Sequence, residues 1–187
     1  MRVGFILFHR ALITGISLSA EMLTSAASLR DRKTQQQSPF EIKLIASTLK
    51  SPTLTAGIRI QPGITFDDPS NFDIIIVPPM WGNPISSLSR HPEIPAWLIK
   101  QYHNGAQIIA TGTGVTWLAE TGLLNDQTAT THWYFYDKFS QRYPHIKLNR
   151  QASITSANGL YCTESINSQT EMVLYLISKY YGQKIAN

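Results

Sequence analysis

The stretch from Ala106 to Trp133, AQIIATGTGVTWLAETGLLNDQTATTHW, restricts the possible folds of this chain more than any other. Ala106 to Ala110 is a short apolar run of the kind a buried parallel strand gives, and Thr113 to Glu120 opens a helix. Thr111-Gly112-Thr113-Gly114 must therefore reverse the chain in one tight turn. Ala110 and Gly114 stand two positions either side of the apex. Small residues there suit a nucleophile elbow, whose backbone is cramped and whose apex is held in a strained conformation. The apex residue is Gly112. Glycine takes that conformation without strain, but it has no side chain with which to attack a substrate.

Strand and helix alternate through the rest of the chain. Val3 to Phe8 predicts a first central strand, and Gly15 to Leu29 the helix after it, with Leu18, Met22 and Leu29 among its apolar positions. A polar connection, Thr34 to Pro39, leads to a second strand at Phe40 to Ala46. Ser51 to Asp68, rich in proline and glycine, reads as loops with a minor hairpin at Ile58 to Ile60. Phe72 to Val77, FDIIIV, is the most β-branched run and predicts another buried strand, leading straight into Pro78-Pro79-Met80-Trp81-Gly82-Asn83. Pro92 to His103 predicts an amphipathic helix with Ile94, Trp97, Leu98 and Tyr102 on one face, Glu93, Lys100 and Gln101 away from it, and Asn104-Gly105 as its end. Beyond the central stretch, Trp133 to Tyr143 reads as an aromatic helix, and Lys147 to Asn149 and Ala152 to Thr155 as short strands. Ser165 to Tyr181 reads as a closing helix with Met172, Val173, Leu176, Ile177 and Tyr180 at helical spacing and Gly182 as its cap. Such an order predicts an α/β domain with a mostly parallel sheet. In such sheets ligands gather where loops leave the carboxyl ends of strands, so the loop from Pro78 to Asn83 and the Gly112 turn are expected to face each other.

Composition narrows the class further. A chain of 187 residues with 43% hydrophobic and 15% charged residues has enough apolar material for one soluble domain. The net charge of +4 comes from scattered basic residues, and their one cluster, Arg30-Asp31-Arg32-Lys33, reads as a solvated helix end rather than a nucleic-acid contact. A single cysteine, Cys162, excludes an internal disulfide framework and suits a reducing cytoplasm. The amino-terminal apolar run is broken too early by His9 and Arg10 to be a secretory signal, and no stretch is long and apolar enough to cross a membrane. A cytoplasmic protein is the expectation.

The central stretch resembles the PfpI-like branch of the class I glutamine amidotransferase-like superfamily, and most closely the version that forms the amino-terminal domain of AraC-type transcription regulators. In that family the turn carries cysteine at its apex, followed by Thr-Gly, a helix containing Leu-Ala-Glu, then Gly-Leu-Leu and a Thr-Thr-His-Trp segment. This chain keeps Thr113-Gly114, Leu118-Ala119-Glu120, Gly122-Leu123-Leu124 and Thr130-Thr131-His132-Trp133, with Gly112 in place of the cysteine. The Trp133-to-Pro144 and Asn158-to-Cys162 segments are also similar, so the likeness runs nearly from end to end. It implies a flavodoxin-like three-layer α/β sandwich with a mostly parallel central sheet. It also implies a homodimer, and DNA recognition by a carboxyl-terminal unit with two helix-turn-helix motifs beyond Asn187.

The resemblance further marks His132 as the counterpart of the family's catalytic histidine, here with no thiol to deprotonate, and Glu21 as a carboxyl of the first helix near the pocket. The family holds an oxyanion with backbone N–H groups of the loop after FDIIIV, and Pro78 and Pro79 have none to give. A former active site lined by Gly112, Thr113, His132, Trp81, Asn83 and Glu21 would thus bind a small-molecule effector without consuming it, with no catalytic residue and no cofactor.

Other readings of the same residues are weaker. Gly112-x-Gly114 lacks the third glycine of a dinucleotide fingerprint, since Trp117 fills that position, and no Walker sequence is present. Thr111 and Thr113 flank an apex whose own side chain an elbow would expose, which disfavours a threonine nucleophile. Cys162 lies far along the chain from the turn, and His9, His91, His103 and His145 share no ligand spacing, so no metal site is expected. Two rival functions stay open: a free-standing PfpI-like amidase, protease or glyoxalase, and a non-catalytic dimerisation module.

Overall fold

A computed structural model describes residues 1–35 and 40–187. Residues 36–39, which belong to the expected polar connection, lie outside the described residues. In chain order the elements are β1 (Arg2–Ile6), α1 (Ile13–Thr34), β2 (Glu41–Ala46), β3 (Ile64–Thr65), β4 (Ile74–Val77), α2 (Ile85–Leu88), α3 (Glu93–His103), β5 (Gln107–Thr111) and α4 (Val115–Glu120). They continue with β6 (Thr128–Ala129), α5 (Tyr136–Arg142), β7 (Lys147–Leu148), β8 (Ile154–Ala157), β9 (Leu160–Thr163), α6 (Ile166–Tyr181) and α7 (Gln183–Ala186).

The main sheet has the order β3-β2-β1-β4-β5-β9-β8, parallel throughout except for the antiparallel β8–β9 edge. β6 and β7 form a separate parallel pair. All four residues of β4 are fully buried, as a central parallel strand covered by helices on both faces requires, which is why its sequence is a continuous β-branched run. The register sets Val77 beside Ala110 and Ala110 beside Cys162, so the carboxyl ends of β4, β5 and β9 lie level. This is the mostly parallel α/β sandwich, flavodoxin-like in type, that the sequence implies.

Several local readings change. α1 buries Gly15, Ile16, Ser19, Leu23, Ala26 and Ala27, while Leu18 and Leu29 are exposed. The reason is its partner: α1 packs on α6, whose Gln169 Nε2 donates to Gly15 O at 2.6 Å and Ser19 Oγ at 2.7 Å, and such an approach needs small side chains. Arg30-Asp31-Arg32-Lys33 does close this helix, with Arg30 paired to Asp31 at 2.6 Å.

Gln101 is not on the solvent side of α3 but 1% exposed. Its Oε1 accepts from Phe72 N and its Nε2 donates to Ser70 O, satisfying the chain as it enters β4. Within Ser51 to Asp68, Ile64–Thr65 forms the edge strand β3, and the small hairpin is an isolated bridge of Thr53 with Arg59. The aromatic segment is a 3-10 turn, Trp133–Phe135, followed by α5. The sequence reading also lacked β9, a central strand of the sheet.

Candidate functional site

The turn after β5 is built around two glycines with different tasks. Gly112 has φ +51°, a left-handed conformation that side-chain-bearing residues rarely adopt. A Cβ placed there would lie 3.3 Å from Pro79 Cβ, 3.4 Å from Glu164 O and 3.7 Å from His132 Cβ, so the apex points into the meeting place of three loops. At Gly114 the reason is space: an added methyl would overlap the Pro78 carbonyl and stand 2.9 Å from Val77 O. The turn can therefore sit against the end of β4 only with glycine at that position.

Two threonines fix the apex. Thr131 Oγ1 donates to Gly112 O at 2.7 Å in a fully buried setting, which ties the segment carrying His132 to the turn. Thr113 Oγ1 accepts from Met80 N and donates to Met80 O, each at 2.9 Å, and so docks the loop after β4. That hydroxyl's one proton is held by Met80 O, so Thr113 works as a clamp. Below the turn, Thr163 Oγ1 donates to Thr111 Oγ1 at 2.9 Å, locking β9 to β5.

These loops enclose an open cavity of about 860 Å³, within the size range of small-molecule sites. Of the residues singled out in the sequence, Gly112, Thr113, His132, Trp81 and Asn83 all line it. Glu21 does not. It is exposed on the third turn of α1, whereas the contribution of that region to the cavity is Leu12, just before the helix. The loop from Pro79 to Pro84 and the Gly112 turn meet at its wall, as expected for loops leaving neighbouring strand ends.

His132 Nδ1 accepts from Tyr134 N at 3.3 Å, which assigns the ring proton to Nε2 in the neutral form. The walls are aromatic. Trp81, Trp133 and Tyr134 are 67%, 62% and 75% exposed, and the Trp133 and Tyr134 rings stand at 90° with centroids 5.7 Å apart. Large exposed rings grouped round a cavity mark a binding surface more often than they serve the fold.

The sequence reading missed the clamp Thr131, and among the lining residues Glu164, Lys138 and the first residues of α6, Ile166 and Asn167. Glu164 follows directly on β9, so the rule that sites form at strand ends would have found it had β9 been recognised. Thr131 stands beside His132 in the Thr-Thr-His-Trp segment, which was itself a signal.

Cys162 lies under the site rather than in it. It is 1% exposed in β9, and burial pushes its thiol up to about 12, so it is no thiolate nucleophile. Among the described residues no three His, Cys, Asp or Glu side chains converge as metal ligands would, and no helix is long and apolar enough to cross a membrane.

The sequence profile of the DJ-1/PfpI family matches residues 11–178, from the loop before α1 through most of α6. The chain belongs to the DJ-1/PfpI family. The chain is similar to the HTH-type transcriptional regulator CdhR of Pseudomonas aeruginosa, at 35% identity over 101 residues, covering 51% of this chain and 28% of CdhR. It is also similar to the isonitrile hydratase of Pseudomonas putida, at 26% identity over 137 residues, covering 73% of this chain and 54% of that enzyme. The chain thus spans about a quarter and about half of the length of these two curated relatives. The crystal structure of an AraC family transcriptional regulator from Pseudomonas putida superposes with a TM-score of 0.82 at 20% identity, covering 99% of this chain and 95% of that one. At that identity the likeness shows a shared fold alone.

Proposed function

We propose that this DJ-1/PfpI chain is the non-catalytic, effector-sensing part of an AraC-type transcription regulator. The observation that carries the proposal is Gly112: the elbow, its clamps and its cavity are present, and the apex has no side chain that could attack a substrate. A pocket without a nucleophile forms no covalent intermediate with a bound metabolite, which suits a sensor. Similarity to CdhR supports the regulator class. Gly112, Thr113, His132, Trp81 and Asn83 form the binding surface in this reading. DNA recognition belongs to a helix-turn-helix unit attached to this part of the regulator, and the protein works as a homodimer in the cytoplasm. The effector acts by binding one arrangement of dimer and linker better than the other.

The similarity to isonitrile hydratase keeps an enzyme as the second reading. It needs a nucleophile or base at the turn, and Thr113 is already committed to Met80. Screening a metabolite collection against the purified chain by thermal denaturation, and then following each stabilising compound over time, separates the two. A compound that raises Tm and is recovered unchanged is the expected result, since a ligand well above its Kd must stabilise the fold. Measurable conversion of that compound, lost in His132→Ala, would establish the enzyme instead. Failure of every compound to raise Tm would leave a dimerisation module and overturn the sensor.

A further inference from the structure

The net charge of the chain is gathered at the end of the sheet opposite the cavity. Two segments hold it: the last turn of α1, from Arg30 to Gln35, and the end of α6 with α7, from Ser178 to Asn187. Together they carry five of the sixteen Lys and Arg residues, namely Arg30, Arg32, Lys33, Lys179 and Lys184, and one of the twelve Asp and Glu residues, Asp31. The other eleven of each sign balance, so the whole charge of +4 belongs to these segments. Alone, the run from Arg30 to Lys33 reads as a solvated helix end; the fold sets a second basic segment beside it.

Named contacts hold the two together. α1 and α6 pack side by side, and Arg30 Cζ lies 5.1 Å from the centre of the Tyr181 ring at the end of α6. α7 folds back onto both helices, with Ile185 and Ala186 against the core. It is pinned by Ser178 Oγ donating to Gln183 Oε1 at 2.7 Å and Gln183 Nε2 donating to Asn187 Oδ1 at 2.9 Å. Lys179 Nζ stands 5.6 Å from the centre of the Tyr180 ring, whose hydroxyl accepts from Gln107 Nε2 at the start of β5. Arg30 is occupied by Asp31 and Tyr181, whereas Arg32, Lys33, Lys179 and Lys184 are exposed. The helix ends carry only about half a negative charge each, less than the excess beside them. Like charges held on pinned helices repel one another, and a polyanion relieves that repulsion.

We infer that Arg32, Lys33, Lys179 and Lys184 form a surface that rests on the phosphate backbone of duplex DNA. It adds sequence-independent affinity to a regulator whose base reading lies in its helix-turn-helix unit. This inference rests on the regulator reading above, in which that unit follows α7 and this end of the domain is the one brought to the duplex.

The test is fluorescence anisotropy of a labelled duplex of arbitrary sequence, about two helical turns or ~20 base pairs long, titrated with the purified chain at about 50 to 200 mM salt. Four cations on phosphates predict that log affinity falls against log salt with a slope of about −3 to −4, each neutralised phosphate contributing about −0.9. A duplex of scrambled sequence should give the same line. Arg32→Gln with Lys33→Gln should take about two units off the slope, and so should Lys179→Gln with Lys184→Gln. Lys50→Gln with Arg59→Gln, exposed in the loops after β2, should leave it unchanged. An equal loss of slope in that control, or no binding at the lowest salt, overturns the inference. Vesicles of phosphatidylserine and phosphatidylcholine should not retain the chain; retention that is lost in Arg32→Gln with Lys33→Gln would assign the face to a membrane and overturn it as well. If the duplex does not bind while the metabolite screen yields a ligand recovered unchanged, this face falls and the sensor stands; if the screen also fails, both fall.

Discussion

Thr113 and Met80 hold each other through two hydrogen bonds between one hydroxyl and both backbone polar atoms of one residue, each bond 2.9 Å long. The turn after β5 and the loop after β4 are thereby a single rigid body, and the width of the cavity mouth at Trp81 depends on that clamp. Replacing the hydroxyl by a methyl of similar size leaves the Met80 amide and carbonyl without their partner. Thr113→Val should therefore cost about 1–3 kcal/mol of stability, read from urea denaturation, and weaken whatever ligand the metabolite screen identifies.

Gly112 and Gly114 should respond differently to alanine. At Gly112 the neighbours of an added Cβ stand at 3.3–3.7 Å and can give slightly, so Gly112→Ala should lose only the cost of a left-handed backbone, about 1–2 kcal/mol. Gly114→Ala meets backbone carbonyls of Val77 and Pro78 that cannot move without opening β4 from β5. A loss of about 3 kcal/mol or more, or no soluble protein, is expected there. Equal denaturation midpoints for the two variants would contradict the distinction.

A cysteine at the apex should be accessible while the native one is not. In Gly112→Cys the new thiol faces the open cavity, whereas Cys162 is buried in β9. Iodoacetamide followed by intact-mass measurement should show one label on folded Gly112→Cys, none on the folded parent, and a second label on the variant only after denaturation.

Cys162 also predicts a pH dependence. The folded protein keeps the thiol proton until about 12, while the unfolded chain releases it near the ordinary value of 9.0. Between those values the unfolded state binds fewer protons, so the contribution is whole below pH 9 and is lost as pH rises towards 12. The stability advantage of the parent over Cys162→Ala should be nearly constant up to pH 8 and shrink by about 1 kcal/mol between pH 9 and 10, measured by urea denaturation at pH 8, 9 and 10. A constant difference across that range would show that the thiol ionises equally in both states.

The parts of the fold legible in the sequence were those where one physical demand dominates. β4 and β5 are buried on both faces, which leaves only continuous apolar runs, and Gly112-x-Gly114 between strand and helix leaves only a tight turn. β9 was harder to read because Leu160–Thr163 is short and mixes apolar with hydroxyl side chains. Its signal was the turn before it: Asn158 and Gly159 have φ of 50° and 83°, the two positive values that a type I′ hairpin requires.

Gln101 misled because a polar residue was assigned to solvent by type, whereas the unpaired backbone entering β4 needed an internal partner. α1 misled in the opposite sense. Its large apolar residues suggested the buried stripe, but close approach to α6 selected the small ones. In the site, Gly112, His132, Trp81 and Asn83 were found because motif and strand-end rules point at them. Glu164 and Lys138 became visible only when β9 and α5 brought distant segments to the same cavity.

The pairing of β5 with β9 joins Thr111 to Thr163, 52 positions later, and this one ladder carries Glu164 and the start of α6 to the Gly112 turn. Contacts between residues so far apart in sequence close late and slowly during folding. The amino-terminal strands can pair while the carboxyl-terminal segment is still free, but the cavity has no far wall until β9 inserts. Ligand affinity should thus arise in one step with completion of the sheet, which makes binding a report on the finished fold and denies the effector any hold on a partly folded chain.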